Sequence, residues 1–391
     1  MSLLVILAIL GIVYGYTGWR LAAPLPYPAH VAPLIFLLAS IPISFIWLRR
    51  RATENGFVDA YAWATYLSMG YVTVTFGLLL LRDVAWLAGL ALTRLIGYAG
   101  LSAPAATDTI FQDEGTLSQD LLLLTNAGVM ALGFLFTGLG IYHARRQPRV
   151  KRVTVPLGDL PPDLDGLTIG QISDVHAGTT IKRRQIERIV EALAPHQPDL
   201  IALTGDLADQ SVERLRPHVE PLARLRAPLG CFFVTGNHEY YAGVGPWLNE
   251  VRRLGFRTLL NEHVVIQRGS GRIVLAGTTD LSAGQETEGH ASDVGKALAE
   301  APDGLRILLA HQPGTIEAAE AAGVDLQLSG HTHGGQFPPW KYVVSLHQPY
   351  AAGLHRRGNT WIYVNRGAGY WGPPIRLGAP SEVTLLTLVR S

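Results

Sequence analysis

The concentrated polar chemistry of this chain lies in five short motifs. These are Asp174-Val-His176, Gly205-Asp206-Leu-Ala-Asp209, Gly236-Asn237-His238-Glu239, His311, and Gly330-His331-Thr-His333-Gly334-Gly335. Taken singly, Asp-x-His or Gly-Asp reads as an ordinary turn. Two histidines at i and i+2 between glycines suit metal chelation better. Together the motifs offer carboxylates, an amide and imidazoles, a mixture that Mn²⁺, Fe²⁺ and Zn²⁺ accept. A carboxylate in such a set can bridge two ions ~3.5–4 Å apart. The glycines let backbone approach ions and a phosphate closely. The motifs hold no lysine or arginine, so metal must neutralise any phosphate bound there.

Each motif follows an element that can position it. Leu167–Ser173, Asp199–Thr204, Cys231–Thr235, Arg272–Gly277, Leu305–Ala310 and Asp325–Ser329 are short apolar runs that predict buried strands. Lys182–Leu193, Val212–Leu225, Val244–Leu254 and Thr315–Ala322 predict the helices between them, with Trp361–Val364 and Glu382–Val389 as late strands. The alternation implies an α/β sandwich. Five strands would deliver Asp, His, Asn and Gly to their C-terminal ends, the edge at which α/β sheets bind ligands.

In this order the motifs resemble the calcineurin-like metallophosphoesterase superfamily, over roughly residues 150–391. The resemblance implies a four-layer αββα sandwich and two divalent ions (Mn, Fe or Zn). It implies that Asp174, His176 and His333 hold the first ion, and that Asn237, His311 and His331 hold the second. Asp206 would bridge them. His238 would be the non-ligand histidine that stabilises or protonates the leaving oxygen, with Asp209 the acid that orients it. The run Gly330–Gln336, the stretch Val364-Asn-Arg-Gly367 and the segment Leu377–Val383 are similar to the membrane-associated YkuE/YaeI-like branch. Some members of that branch resemble UDP-2,3-diacylglucosamine hydrolases of lipid A synthesis.

The remainder of the chain reads differently. Charged residues make up 16% of the 391, low against roughly 25% for soluble domains, and mean hydropathy is +0.21. Charge density in residues 1–150 is roughly half that of the rest. Leu3–Trp19, Val31–Leu48, about Val58 to Leu81, and Leu121–Tyr142 are apolar stretches long enough to cross a bilayer. Val84–Leu101 follows Arg82-Asp83 and contains Arg94, so it reads as an interfacial or re-entrant helix. Residues 1–147 are therefore expected to form a membrane domain of about four transmembrane helices, and 148–391 the catalytic domain. The clusters Arg49-Arg50-Arg51 and Arg145 to Arg152 should face the cytoplasm, placing the catalytic domain there, on a bacterial inner membrane.

Other classes recede. A net charge of +1 argues against a nucleic-acid surface. The single cysteine, Cys231, excludes an internal disulfide and a Cys-based zinc site. Gln210 follows Asp209, so the Arg-containing extension of phosphoprotein phosphatases is missing. The expected activity is hydrolysis of a phosphodiester or pyrophosphate, with a lipid-linked or membrane-proximal substrate. Arg366, Arg376, Trp340 and Trp371 would shape its entrance. The alternative is a membrane sensor or scaffold that binds metal or nucleotide without turnover.

Overall fold

The structure, a computed structural model, describes residues 3–25, 39–43, 56–99, 111–112, 116–117 and 119–391. The chain divides into two compact units, Met1–Gly140 and Ile141–Ser391.

The first unit contains helices α1 (Leu3–Ala22), α2 (Gly56–Tyr98) and most of α3 (Gln119–Arg145). By length and composition α2 and α3 are apolar enough to cross a membrane. The expected stretch Val31–Leu48 lies outside the described residues apart from 39–43. Val84–Leu101 differs from expectation, because α2 runs unbroken for 43 residues. No Gly or Pro separates Leu81 from Val84, and the charges that suggested a break are paired. Arg20 reaches Asp83 through Nε at 2.7 Å and Nη2 at 2.8 Å, and Arg82 Nε donates to Asp83 at 2.9 Å. Tyr16 also donates to Asp83, and Arg82 to Asn126 of α3. Asn126 Nδ2 donates to the Arg20 carbonyl at 3.1 Å. Charged groups among apolar helices persist when paired in this way.

The second unit is built on two six-stranded sheets. One has the order β1-β12-β2-β3-β4-β5, where β1 is Arg149–Leu157, β2 Thr168–Ile172, β3 Leu200–Thr204, β4 Cys231–Val234, β5 Arg257–Thr258 and β12 Glu382–Arg390. The other has the order β10-β11-β9-β8-β7-β6, with β6 Glu262–Arg268, β7 Gly271–Gly277, β8 Leu305–Leu309, β9 Leu326–Ser329, β10 Gly353–Arg357 and β11 Thr360–Val364. β2 to β5 are mutually parallel, as are β7, β8, β9 and β11. β12 is parallel to β1 and antiparallel to β2.

Side-chain alternation along these strands assigns the layers. Ile169, Leu200, Ala202, Phe232 and Val234 of one sheet meet Ile273, Leu275, Ile307, Leu309, Leu326 and Leu328 of the other in a shared core. The opposite parity, Ile172, Ile201, Leu203 and Phe233, packs under helices α4 (Arg183–Leu193), α5 (Val212–Val219) and α7 (Val244–Arg253). Ala276, Leu308 and Ala310 pack outward against Val294, Ala297 and Ala319 of the helical layer that includes α8 (Ile316–Ala321). Helices therefore flank two mixed sheets, as the resemblance implied. Two short helices border the strand ends: α6 (Asn237–Ala242) and α9 (Trp340–His347). The last turn of α3 belongs to this unit. Arg145 Nη1 donates to the Thr180 carbonyl at 2.6 Å and to the Tyr370 hydroxyl at 3.1 Å.

Candidate metal centre

The parallel strands end at one edge, and their following residues converge there. Three groups of side chains each bring their ligand atoms within 4.8 Å of one another: Asp174, His176 and His333; His176, Asp206 and His238; and Asp206, His311 and His331. His176 and Asp206 each belong to two groups, so the three form one continuous cluster. His311 Nε2 lies 3.1 Å from Asp206 Oδ2, and His176 Nε2 lies 3.7 Å from it. His333 Nε2 lies 3.5 Å from Asp174 Oδ1. Asn237 opens α6 beside them. Every residue singled out in the sequence for metal or proton chemistry is thus in one place.

The local backbone is unusual. Among the described residues nine non-glycine positions have positive φ, and five of them are Asp174, His176, Asp206, His331 and His333. The left-handed region costs such residues about 1–3 kcal/mol each, and strain of this kind gathers at functional sites. Two glycines admit the carboxylates. A Cβ at Gly236 would stand 2.1 Å from Asp206 Oδ1, and one at Gly330 would stand 2.2 Å from Asp174 Oδ2.

Hydrogen bonds fix the ring orientations. His311 Nδ1 meets the Thr204 carbonyl at 2.8 Å, which makes Nδ1 the donor and aims Nε2 at Asp206. His176 Nδ1 meets Asp209 Oδ1 at 2.8 Å, again freeing Nε2 for the cluster. Histidine ligands to metals are commonly oriented by such a partner on the other ring nitrogen. The same Asp209 oxygen lies 2.7 Å from His238 Nδ1.

Electrostatics agree with a cation-binding role. Burial opposes ionisation of Asp206 and Asp209, yet the histidines around them hold both well below the usual carboxylate range. Burial opposes a charge on His311 as well, but Asp206 pushes it well above its ordinary value. Burial, with Arg376 for His333 and His311 for His331, keeps these two rings below theirs, so they remain neutral and able to ligate. The carboxylates draw positive charge that ions would supply. Asn237 Oδ1 is buried without a hydrogen-bond partner. An orphaned acceptor there costs free energy unless something electropositive meets it. The residues therefore fit divalent ions.

Two residues support the centre in ways the sequence did not show. Glu239 is fully buried, and its carboxylate accepts from Asp206 N (3.0 Å), Leu207 N (2.8 Å), Ala208 N (3.3 Å) and Gly236 N (2.7 Å). It ties the Asp206 loop to the start of α6. Arg376, expected at the entrance, is instead fully buried. It donates to the carbonyls of His333 (2.9 Å), Arg366 (2.7 Å) and Gly369 (3.2 Å), and its Nη2 lies 2.9 Å from His333 Nδ1. A glycine- and proline-rich stretch can bury an arginine only where it offers this many carbonyls. Trp371 does reach the mouth, with its ring 6.2 Å from that of His238. Tyr241 is 5.4 Å from His238. Arg366 is partly buried, its Nη1 3.6 Å from Glu382, and Trp340 begins α9.

Comparison with known proteins gives consistent results. A family profile for calcineurin-like phosphoesterases matches residues 167–335. The chain is 38% identical over 283 residues to a transmembrane protein with metallophosphoesterase domain from Danio rerio, covering 70% of this chain and 63% of that protein. It is 38% identical over 261 residues to a metallophosphoesterase of Helicobacter pylori, covering 66% and 68%. It is 31% identical over 274 residues to the metallophosphoesterase YkuE of Bacillus subtilis, covering 67% and 94%. The chain spans 56–63% of the length of the animal relatives it matches.

Proposed function

The chain belongs to the calcineurin-like metallophosphoesterases, and from that premise we propose a membrane-anchored phosphoesterase with two divalent ions, cleaving a phosphodiester or pyrophosphate bond. The observation that carries this reading is the continuous carboxylate–imidazole cluster with the unpartnered Asn237 Oδ1 at its edge. Asp174, His176 and His333 would hold one ion, Asn237, His311 and His331 the other, and Asp206 would bridge. Ions bound there supply Lewis acidity toward the phosphoryl group and a nucleophile at neutral pH.

The chain's own groups supply the rest. Asp209 holds His238 by Nδ1, which turns Nε2 outward. His238 then passes its proton to the leaving oxygen, a contribution of about 10²–10⁴-fold. Glu239 and Arg376 keep the loops at fixed separation. Manganese is the ion we favour, and a substrate of the kind UDP-2,3-diacylglucosamine suits the membrane setting.

The membrane part of the reading rests on α2, α3 and the relatives described as transmembrane. The basic residues Arg145 to Arg152 favour a cytoplasmic catalytic unit in a bacterial inner membrane. Labelling of cysteines introduced into β1 and the 99–119 region, from each side of sealed vesicles, tests that orientation.

The activity test uses purified full-length protein, stripped by chelator and reloaded with Mn²⁺. Two ions per chain and hydrolysis of bis(p-nitrophenyl) phosphate are expected. Asp206→Asn and His238→Ala should each lose at least about 10²-fold. Full activity in either variant refutes the mechanism. Two bound ions with no phosphoester hydrolysed would favour the sensor reading.

A further inference from the structure

Residues 365–381 join β11 to β12 without helix or strand. A stretch of this length lacking regular structure is usually functional. It runs against the metal loops. Ala368 N donates to the Ser173 carbonyl at 2.8 Å, and Gly369 N to the Asp174 carbonyl at 2.9 Å. A Cβ at Gly369 would stand 2.1 Å from the Val175 carbonyl oxygen, so the two backbones touch.

Gln336 fastens the middle of this strap. It is buried, and it holds no ion in the assignment above. Its Nε2 donates to the carbonyls of Trp371 (3.0 Å) and Pro373 (2.9 Å), and its Oε1 accepts from Trp371 N at 3.0 Å. Its own carbonyl accepts from Leu377 N at 3.0 Å. Both backbone polar groups of Trp371 are thereby bound to one side chain. Gln336 does this from φ +54° and ψ −56°, a conformation that is costly without a Cβ-free residue and persists only where the surroundings enforce it. The clamp does not serve core packing, because Trp371 is 53% exposed. It fixes where the indole stands, 6.2 Å from the His238 ring and at 80° to it. Tyr241, 57% exposed, stands 5.4 Å from the same ring at 62°. Two half-exposed aromatic rings thus rise steeply from the imidazole.

We propose that Trp371, positioned by Gln336, receives the leaving group, and that the centre prefers phosphoesters whose leaving group carries a flat aromatic or heteroaromatic ring. The inference rests on the phosphoesterase reading above and adds the residue that selects what departs. In that reaction the bond from phosphorus to the leaving oxygen breaks and an oxygen from water takes its place. The leaving oxygen keeps the bonding pair and gains the His238 proton. The departing group is therefore beside His238, and so beside the two rings that stand on it. A flat ring gains from pairing with an aromatic wall beyond the area it buries, and a saturated group of like size does not.

The test uses Mn²⁺-loaded full-length protein and two methyl phosphodiesters, one with a p-chlorophenyl and one with a hexafluoroisopropyl leaving group. The two alcohols are closely matched in acidity, so the chemical step alone favours neither. Release of methyl phosphate is followed by phosphorus NMR. The kcat/KM of the aryl ester should exceed that of the fluoroalkyl ester by at least about threefold, mainly through KM. Trp371→Leu should bring the ratio to about one, and Trp371→Phe should restore most of it. Gln336→Ala should lower the ratio with both ions still bound, and should lower it no further when added to Trp371→Leu. Calorimetry gives a readout without turnover: phenylphosphonate should bind more tightly than cyclohexylphosphonate, and Trp371→Leu should abolish the difference. A kinetic ratio near one in the wild type, a ratio that survives Trp371→Leu, or equal binding of the two phosphonates overturns the inference and leaves the phosphoesterase reading standing. A ratio unchanged in Gln336→Ala overturns the positioning role of that residue. Hydrolysis of neither ester, nor of bis(p-nitrophenyl) phosphate, overturns the phosphoesterase reading as well.

Discussion

Gly236→Ala isolates the geometry of the Asp206 carboxylate. The added Cβ would stand 2.1 Å from Asp206 Oδ1 and 2.6 Å from Asp206 N. Real Cβ contacts essentially never fall under 3.0 Å, so about 0.9 Å must be yielded. Neither neighbour is free to yield. Asp206 Oδ1 accepts from His238 N at 2.9 Å, and Asp206 N donates to Glu239 at 3.0 Å. The backbone at Gly236, φ −98° and ψ −177°, is open to alanine, so the effect is steric alone. Overpacking of this kind costs about 1–3 kcal/mol, which the protein should survive. A displacement near 1 Å in the centre costs on the order of 10²-fold in rate. Kinetics with bis(p-nitrophenyl) phosphate, beside metal analysis and a melting curve, should show a folded variant with roughly hundredfold lower kcat and weaker hold on at least one ion. Gly245→Ala is the control, because nothing lies within 4 Å of its Cβ position; it should retain activity. If Gly236→Ala keeps more than half the wild-type kcat with both ions bound, the carboxylate does not need this position and the reasoning fails.

Three further outcomes are expected. Glu239→Gln turns one carboxylate oxygen into an NH₂ facing two backbone donors. At about 1–3 kcal/mol for each donor left unsatisfied, it should lower the melting temperature and the activity together, and an unchanged melt would exclude the clamp. Asp83→Asn removes the charge partner of Arg20 and Arg82; breaking a buried pair costs about 3–5 kcal/mol, so the yield of monodisperse protein on fluorescence-detected gel filtration should fall. In chelator-treated protein burial disfavours the His238 cation, yet Asp206 and Asp209 carry its pKa up to about 9. A group raised in the folded state stabilises fully below its unfolded value, near 6.5, and loses that contribution as pH rises through the folded value. The melting-temperature advantage of wild type over His238→Gln should therefore be largest below pH 6.5 and shrink by pH 9; an advantage that grows with pH contradicts the assignment.

The catalytic strands were legible because each buries one or both faces and ends in a polar motif. Thr168–Ile172, Leu200–Thr204 and Leu326–Ser329 lie within a residue or two of the apolar runs that predict them. β1 was not. Arg149, Lys151 and Arg152 read as a basic flank behind an apolar helix, and the strand earns its place only by pairing with residues 382–390. The ligand candidates were legible as residue types at strand ends, but the shared use of Asp209 by His176 and His238 was not, since it depends on ring orientation. Arg376 was misread for a physical reason. Sequence context makes arginine a surface residue by default, and the carbonyls that satisfy it come from segments as far back as His333. The 43-residue α2 was misjudged at Arg82-Asp83 because their partners, Tyr16, Arg20 and Asn126, lie on other helices.

β12 lies between β1 and β2, more than 200 residues earlier in the chain. A ribosome releases Asp174, Asp206 and His238 long before Glu382–Arg390 leaves its exit tunnel. Until then β1 has no neighbour in its sheet, and Arg366 N and the Tyr363 hydroxyl lack the Glu382 carboxylate that receives them. Closing contacts so distant in sequence is slow. Synthesis order thus imposes a delay between the emergence of the metal-centre residues and the completion of the sheet that holds them, and a chain interrupted before Glu382 would carry those residues on an unfinished sheet.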